Sequence, residues 1–354
     1  MIIDIVKVFI PSMLSFVIGL ALSLVVSHYL YKYKLWKKKP GKVDMNGNPT
    51  VVFNELHKEK ETGTPRMGGI IIWLSVLITI SILWGAGAVF PNSITSKLDI
   101  LSRNQTWIPL LTLLLGAFVG LIDDILEIKG VVSGGLPLRK RLVLVTLISL
   151  FCALWFYFKL NVDGIGGPYI GEIYFGWLFV PFFVLLTIAL YSGGVIDGVD
   201  GLAGGVFAIM FGAYAGIAFY LQQINLAAFC AVVVGGTLAF LWFNIPPARY
   251  YMSETGSMAL TITLAVVATM TDTLGGGHGI IVLPIIALPL LVTSFSNIIQ
   301  ILSKKFRKGK KVFLVAPLHH HFEAKGWPSY KVTMRYWVIS VICAIIGMTI
   351  ALIG

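Results

Sequence analysis

The chain has 354 residues, of which 57% are apolar and 12% charged, with a formal net charge of +11 and a mean hydropathy of +0.88. Soluble domains carry about twice that charged fraction, so a soluble enzyme, a disordered protein and an ordinary nucleic-acid binder are all excluded despite the basic balance. The apolar residues suffice for ten spans of about 20 residues each, which predicts an all-α, polytopic integral membrane protein with ten transmembrane helices, a single transmembrane domain over 1–354.

The first predicted span, 5–30, contains Lys7 and has no small-residue cleavage site behind it. It reads as a retained helix rather than a removed signal peptide. After a basic loop, Gly63-Thr64-Pro65-Arg66-Met67-Gly68-Gly69 opens the second span, 68–88. The Thr64 hydroxyl and the backbone N–H groups there can hold a phosphate, and a plain turn ahead of a helix accounts for the stretch equally well. The third span, 107–124, ends on Asp123-Asp124. Arg139 and Arg141 lead into the fourth, 141–158, and the fifth covers 174–194. Asp197-Gly198-Val199-Asp200-Gly201 opens the sixth, 201–221. On a helix its two acids share a face, and the glycines let backbone or phosphate come close.

The seventh span, 226–243, runs into Asn244 and is followed by Tyr251. Those two can frame a base by hydrogen bond and stacking, although aromatics at a span end also serve as interface anchors. Glu254 precedes the eighth span, 257–274. Pro284 and Pro289 interrupt the ninth, 279–303, which predicts a kinked helix that leaves the bilayer into the basic run 304–311. Next comes His319-His320-His321, then the tenth span, 334–353. Adjacent side chains on a helix point in different directions, which argues against zinc. Imidazoles beside lysines suit an anionic or sugar-bearing ligand. Cys152, Cys230 and Cys343 lie singly in apolar runs and read as small hydrophobes.

Charge fixes the expected orientation. The loops 31–67, 125–140, 195–200, 244–256 and 304–333, with their flanks, hold 23 of the 27 Lys and Arg against 11 of the 16 acids, a net of +12. The opposite face holds Lys7, Lys97, Arg103 and Lys159 and a net of −1. Positive charge stays in the cytoplasm, so the first set of loops is expected there and both termini outside. Asp123, Asp124, Asp197, Asp200 and Glu254 then all lie at cytoplasmic helix ends. Boundary acids are costly unless paired, hydrated or ligating. Five of them on glycine-rich segments point to a site for Mg²⁺ and a diphosphate, since Mg²⁺ takes one or two carboxylates and leaves its other positions to phosphate and water.

With these motifs in order, the chain resembles the phospho-N-acetylmuramoyl-pentapeptide transferases of bacterial cell-wall synthesis. These belong to the wider polyprenyl-phosphate N-acetylhexosamine-1-phosphate transferases. The motifs that carry the resemblance are the 63–69 stretch, Asp123-Asp124, Asp197-Gly-Val-Asp200-Gly-Leu-Ala, 240–248 with Glu254-Thr-Gly-Ser, and the triple histidine followed by Phe-Glu-Ala-Lys-Gly-Trp. The aspartate pair marks the superfamily, and the histidine motif marks the pentapeptide branch. The resemblance implies ten transmembrane helices in the bacterial cytoplasmic membrane, an active site at the cytoplasmic face, and a tendency to dimerise. It implies transfer of phospho-MurNAc-pentapeptide from UDP-MurNAc-pentapeptide to undecaprenyl phosphate, giving lipid I and UMP, with Mg²⁺.

By position, Asp123 and Asp124 would orient or deprotonate the lipid phosphate. Asp197 and Glu254 would serve the metal, with Asp200 near the nucleoside. Asn244 and Tyr251 would contact the uridine, and His319, His320 and His321 the sugar-diphosphate. Arg139 and Arg141 match basic positions that follow the aspartate pair. Three positions depart from the pattern: Gly194 stands where the family has Asn, Glu254 where it has Asp, and Arg66 where it has Thr. Glu keeps the carboxylate and adds about 1.5 Å of reach. The departures leave room for a sister transferase acting on UDP-GlcNAc, and for a catalytically lapsed homologue. Carboxylates in spans also mark transporters, but those lie at mid-membrane rather than at helix ends.

Overall fold

A computed structural model describes residues 2–38, 62–92, 95–101, 106–130, 135–168, 171–272, 274 and 276–353. Much of the first basic loop, with Asp44, Glu55, Glu59 and Glu61, and also Arg103, lies outside the described residues. The described chain is a helical bundle: α1 Ile2–Lys32, α2 Ile70–Val89, α3 Trp107–Lys129 and α4 Leu138–Leu154, the last continued by a wide turn over Trp155–Lys159. A small antiparallel hairpin follows, β1 Gly164–Gly167 paired with β2 Gly171–Tyr174, in the register Gly164 to Tyr174. Then come α5 Phe179–Ser192, α6 Leu202–Tyr220, α7 Ile224–Asn244, α8 Ser253–Met270, α9 Gly279–Ile286, α10 Leu288–Phe306, α11 Leu318–Ala324 and α12 Ser329–Ile353.

Among the described residues, eight helices are long and apolar enough to cross a membrane, and α9 with α10 makes a ninth if the bent pair is one span. The chain is therefore a multi-pass membrane protein. The α9–α10 pair turns by 64° at a one-residue break, Ala287. Pro284 and Pro289, on either side, remove the N–H groups that would have carried the helix through, so the predicted kink is present. The remaining expected span corresponds to α8, which has 18 residues, among them Glu254, two serines and four threonines.

α8 tolerates that polarity because it is the centre of the bundle. Every one of its residues except Glu254 is buried. The hydroxyls of Thr261, Thr263 and Thr269 each donate to the carbonyl four residues back, at 2.7–2.9 Å, so no buried hydroxyl among these three is left unsatisfied. Close packing of α8 on α3 depends on Gly116 and Gly120. A Cβ on Gly120 would stand 2.2 Å from the Glu254 carbonyl oxygen, and one on Gly116 2.9 Å from Ala259 Cα. Small residues at a four-residue spacing let two backbones approach where lipid offers no hydrophobic drive. The outer helices turn apolar side chains outward, as with Ile342, Ile345 and Ile346 of α12. The three cysteines are free and buried.

Candidate active site

The contact between α3 and α8 carries the last turns of α3 against the first turn of α8. Asp124 lies at that point and accepts three hydrogen bonds. Its Oδ1 takes Glu254 N–H at 3.3 Å, and its Oδ2 takes Thr255 N–H at 2.9 Å and the Thr255 hydroxyl at 2.6 Å. These amides are free because they begin a helix, and a carboxylate there meets the positive end of the helix dipole. Asp124 thus locks one helix to the next.

Asp123, one residue earlier, faces the other way. Its Oδ1 accepts Leu136 N–H at 2.7 Å and an ion pair from Arg141 Nε at 2.8 Å. Arg141 Nη1 reaches Glu254 Oε1 at 2.7 Å. One guanidinium therefore ties the acid of α3 to the acid of α8, a fork that a planar, five-donor group makes readily. Tyr191, at the end of α5, stands beside the same guanidinium. Asp123 Oδ2 is buried and has no hydrogen-bond partner, so one oxygen of this carboxylate is left open within the cluster.

A third acid of α3 belongs to the group. Asp123, Asp124 and Glu127 bring carboxylate oxygens within 4.8 Å of one another. Glu127 also meets the fork of Arg66, with Nη2 to Oε2 at 3.0 Å and Nη1 to Oε1 at 3.2 Å, and Lys37 Nζ lies 3.3 Å from Oε1. Burial pushes the Arg66 guanidinium toward neutrality, but Glu127, Asp124, Asp197 and Glu254 outweigh it and hold its pKa above the ordinary value. Arg66 is one of the three positions that depart from the family pattern, and Glu127 falls in the stretch 125–140 that hydropathy assigns to a loop. The only signal for Glu127 was its four-residue spacing from Asp123 along one helix face.

Asp197 and Asp200 lie in a turn ahead of α6 rather than on a helix, and both address the segment between α7 and α8. Asp197 Oδ2 accepts Ser253 N–H at 2.8 Å, and Asp200 Oδ2 accepts Ala248 N–H at 3.2 Å. Gly201, with φ of +76°, completes the turn in a backbone conformation suited to glycine. Asn244 is buried, with its Oδ1 accepting Gly201 N–H at 3.0 Å and its Nδ2 donating to the Tyr250 carbonyl at 2.8 Å. The backbone of Tyr251 joins the 63–69 stretch, donating to Pro65 O and accepting from Gly68 N–H. Thr64 is half-buried in that stretch, and Arg139 is exposed at the start of α4.

Two of the three histidines meet the aspartate turn. A Cβ on Gly198 would stand 2.5 Å from His319 Nε2 and 2.8 Å from His320 Nε2, so both rings rest on the backbone between Asp197 and Val199. His320 Nδ1 pairs with Glu323 Oε2 at 2.7 Å, and Glu323 Oε1 accepts the Ser329 hydroxyl at 2.7 Å. That chain fixes the ring and leaves its Nε2 facing the turn. His321 points elsewhere: its Nδ1 accepts Leu314 N–H at 3.2 Å. Burial and Lys325 lower its pKa, which favours the neutral ring.

At Gly194 a Cβ would touch only Ser257, at 3.7 Å, so the backbone there has room for a side chain that this sequence lacks. Glu254, held by Arg141, also accepts the Ser257 hydroxyl at 3.4 Å. One end of the bundle thus gathers seven acids, two half-buried arginines and two imidazoles.

A family model described as glycosyl transferase family 4 matches residues 106–272, the stretch that holds Asp123, Asp124, Asp197 and Glu254. The chain is also similar to the phospho-N-acetylmuramoyl-pentapeptide-transferase of Listeria welshimeri. The two are 31% identical over 297 residues, or 83% of this chain and 86% of that one. The proteins of the same name from Chloroflexus aggregans and Chloroflexus aurantiacus are 33% and 34% identical over 308 residues, covering 83% of this chain and 78% of each relative.

Proposed function

Because the chain belongs to the phospho-N-acetylmuramoyl-pentapeptide-transferase family, we propose that it transfers phospho-MurNAc-pentapeptide from UDP-MurNAc-pentapeptide to undecaprenyl phosphate. The products are lipid I, for peptidoglycan synthesis, and UMP. The observation that carries this reading is the Asp123–Arg141–Glu254 bridge, packed beside Asp124 and faced by Asp197 at the end of the central helix. Acids from three separate segments meet there around guanidinium groups, as phosphoryl transfer between two polyanions requires.

Mg²⁺ suits this set. Its donors are hard carboxylate oxygens, three of them within 4.8 Å of one another, and Asp123 Oδ2 is a buried oxygen with no hydrogen-bond partner. Asp197 and Glu254 would hold it, with the clustered oxygens of Asp123, Asp124 and Glu127 completing the field. When bound, it would neutralise charge on the diphosphate. Arg141 keeps the carboxylates of Asp123 and Glu254 in register. Asp123 orients the lipid phosphate for in-line attack on the β-phosphorus of the UDP-sugar. His319 and His320, seated on the Asp197 turn, receive the sugar-diphosphate, while Asp200, Asn244 and Tyr251 line the nucleoside side with Thr64 and Arg139 at its rim. His321 supports the loop that carries the other two rings.

The whole of 1–354 acts as one transmembrane domain in the bacterial cytoplasmic membrane, with the site in the cytoplasm, both termini outside and a homodimer as the working form. The charge asymmetry of the loops supports that orientation. Asp123→Asn and Asp197→Asn test the site. Each is expected to lower UMP release by about 10²-fold or more, the scale set by losing one preorganised electrostatic group, in protein that still elutes as a folded species. Near-normal turnover in both variants would remove the assignment.

A further inference from the structure

The basic end of α1 forms one wall of a groove of about 410 Å³ whose lining contains none of the clustered acids. Leu24, Ser27, His28, Tyr31 and Lys32 of α1 line it, and Arg249, from the segment between α7 and α8, faces them. The Tyr31 hydroxyl donates to the Arg249 carbonyl at 2.9 Å and joins the two walls. The Arg249 guanidinium lies 5.7 Å from the Phe243 ring centre, and Lys32 Nζ lies 5.9 Å from that of Tyr33. Neither cation has a carboxylate partner among the described residues.

Position decides what such a groove takes. It occupies the last turns of a 31-residue apolar helix, where Leu24, Val25 and Tyr29 are exposed on the outer surface. Tyr29, Tyr31 and Tyr33 form the aromatic collar expected where hydrocarbon meets headgroups. The cleft is therefore apolar toward the bilayer and cationic toward water, with hydroxyl groups on its wall.

We propose that this groove binds the headgroup of an anionic membrane phospholipid. Lys32 and Arg249 contact the phosphate, and an acyl chain lies along Leu24. Free inorganic phosphate shares the anionic chemistry but would gain nothing from the apolar wall.

The test uses full-length protein in detergent, titrated with phosphatidylglycerol and, separately, with phosphatidylcholine, the bound lipid being counted by native mass spectrometry. Wild type is expected to prefer phosphatidylglycerol. Each basic residue near a membrane surface contributes about fivefold to such binding, so Lys32→Gln with Arg249→Gln should lower it roughly 25-fold. Lys304→Gln with Lys305→Gln removes the same charge from the end of α10 and should leave the preference intact. Circular dichroism and elution profile verify folding of both double variants. Equal loss in both, or no loss in the groove variant, would overturn the proposal. So would displacement of phosphatidylglycerol by millimolar inorganic phosphate alone, which would make the groove a free-anion site.

Discussion

Arg141 holds two acids from different helices, and no other residue type present does the same work. Lysine would keep the charge but not the planar fork, so Arg141→Lys should leave either Asp123 or Glu254 untethered. The expected outcome is a fall of about 10²-fold or more in UMP release, read beside an unchanged circular dichroism spectrum. Turnover within about twofold of wild type would show that the bridge does not position the acids. Several of these residues were legible from type and place alone: Asp123, Asp124 and Glu254 are costly at a membrane boundary without a purpose. Arg66 and Glu127 were not, because their pairing spans 61 residues and no local spacing encodes it. Asn244 was legible as a polar residue that matters, but not for its two backbone partners, which belong to separate loops.

At the level of elements, the arrangement rests on α3 and α8 lying close enough for Asp124 to receive the first amides of α8. Gly120 sets that distance. Gly120→Ala puts a methyl group against the Glu254 carbonyl and should destabilise the protein by about 1–3 kcal/mol, while displacing the acids that α8 carries. Gly85→Ala on α2 is the control, since a Cβ there meets nothing within 4 Å. Thermal unfolding in detergent should separate the two, and equal midpoints would contradict the packing argument. The spans themselves were readable from apolar length, and the α9–α10 break from its prolines. The hairpin of Gly164–Gly167 and Gly171–Tyr174 was not, because four of its eight residues are glycine, which carries no strand preference. The turn at 197–201 was expected to begin a helix; backbone amides from the 248–253 segment draw both aspartates outward instead.

Over the whole molecule, the clustered acids and their arginines gather at one end of the bundle, the hydroxyl-rich α8 runs through its centre, and the outer helices expose apolar side chains. The loop charges place that end in the cytoplasm as an expectation, and the orientation is testable. The three native thiols are buried, so single cysteines introduced at exposed lysines report sidedness cleanly. In intact cells Lys97→Cys should react with a membrane-impermeant maleimide, and Lys308→Cys only after lysis. The reverse pattern would place the acidic cluster outside, away from any nucleotide-sugar.

The most direct measurement is UMP release by the purified protein with undecaprenyl phosphate and Mg²⁺, run in parallel with UDP-MurNAc-pentapeptide and with UDP-GlcNAc. The account predicts turnover with the pentapeptide substrate alone, with Glu254 serving as the carboxylate of α8. Turnover with UDP-GlcNAc alone, or no UMP from either substrate in folded protein, would contradict it.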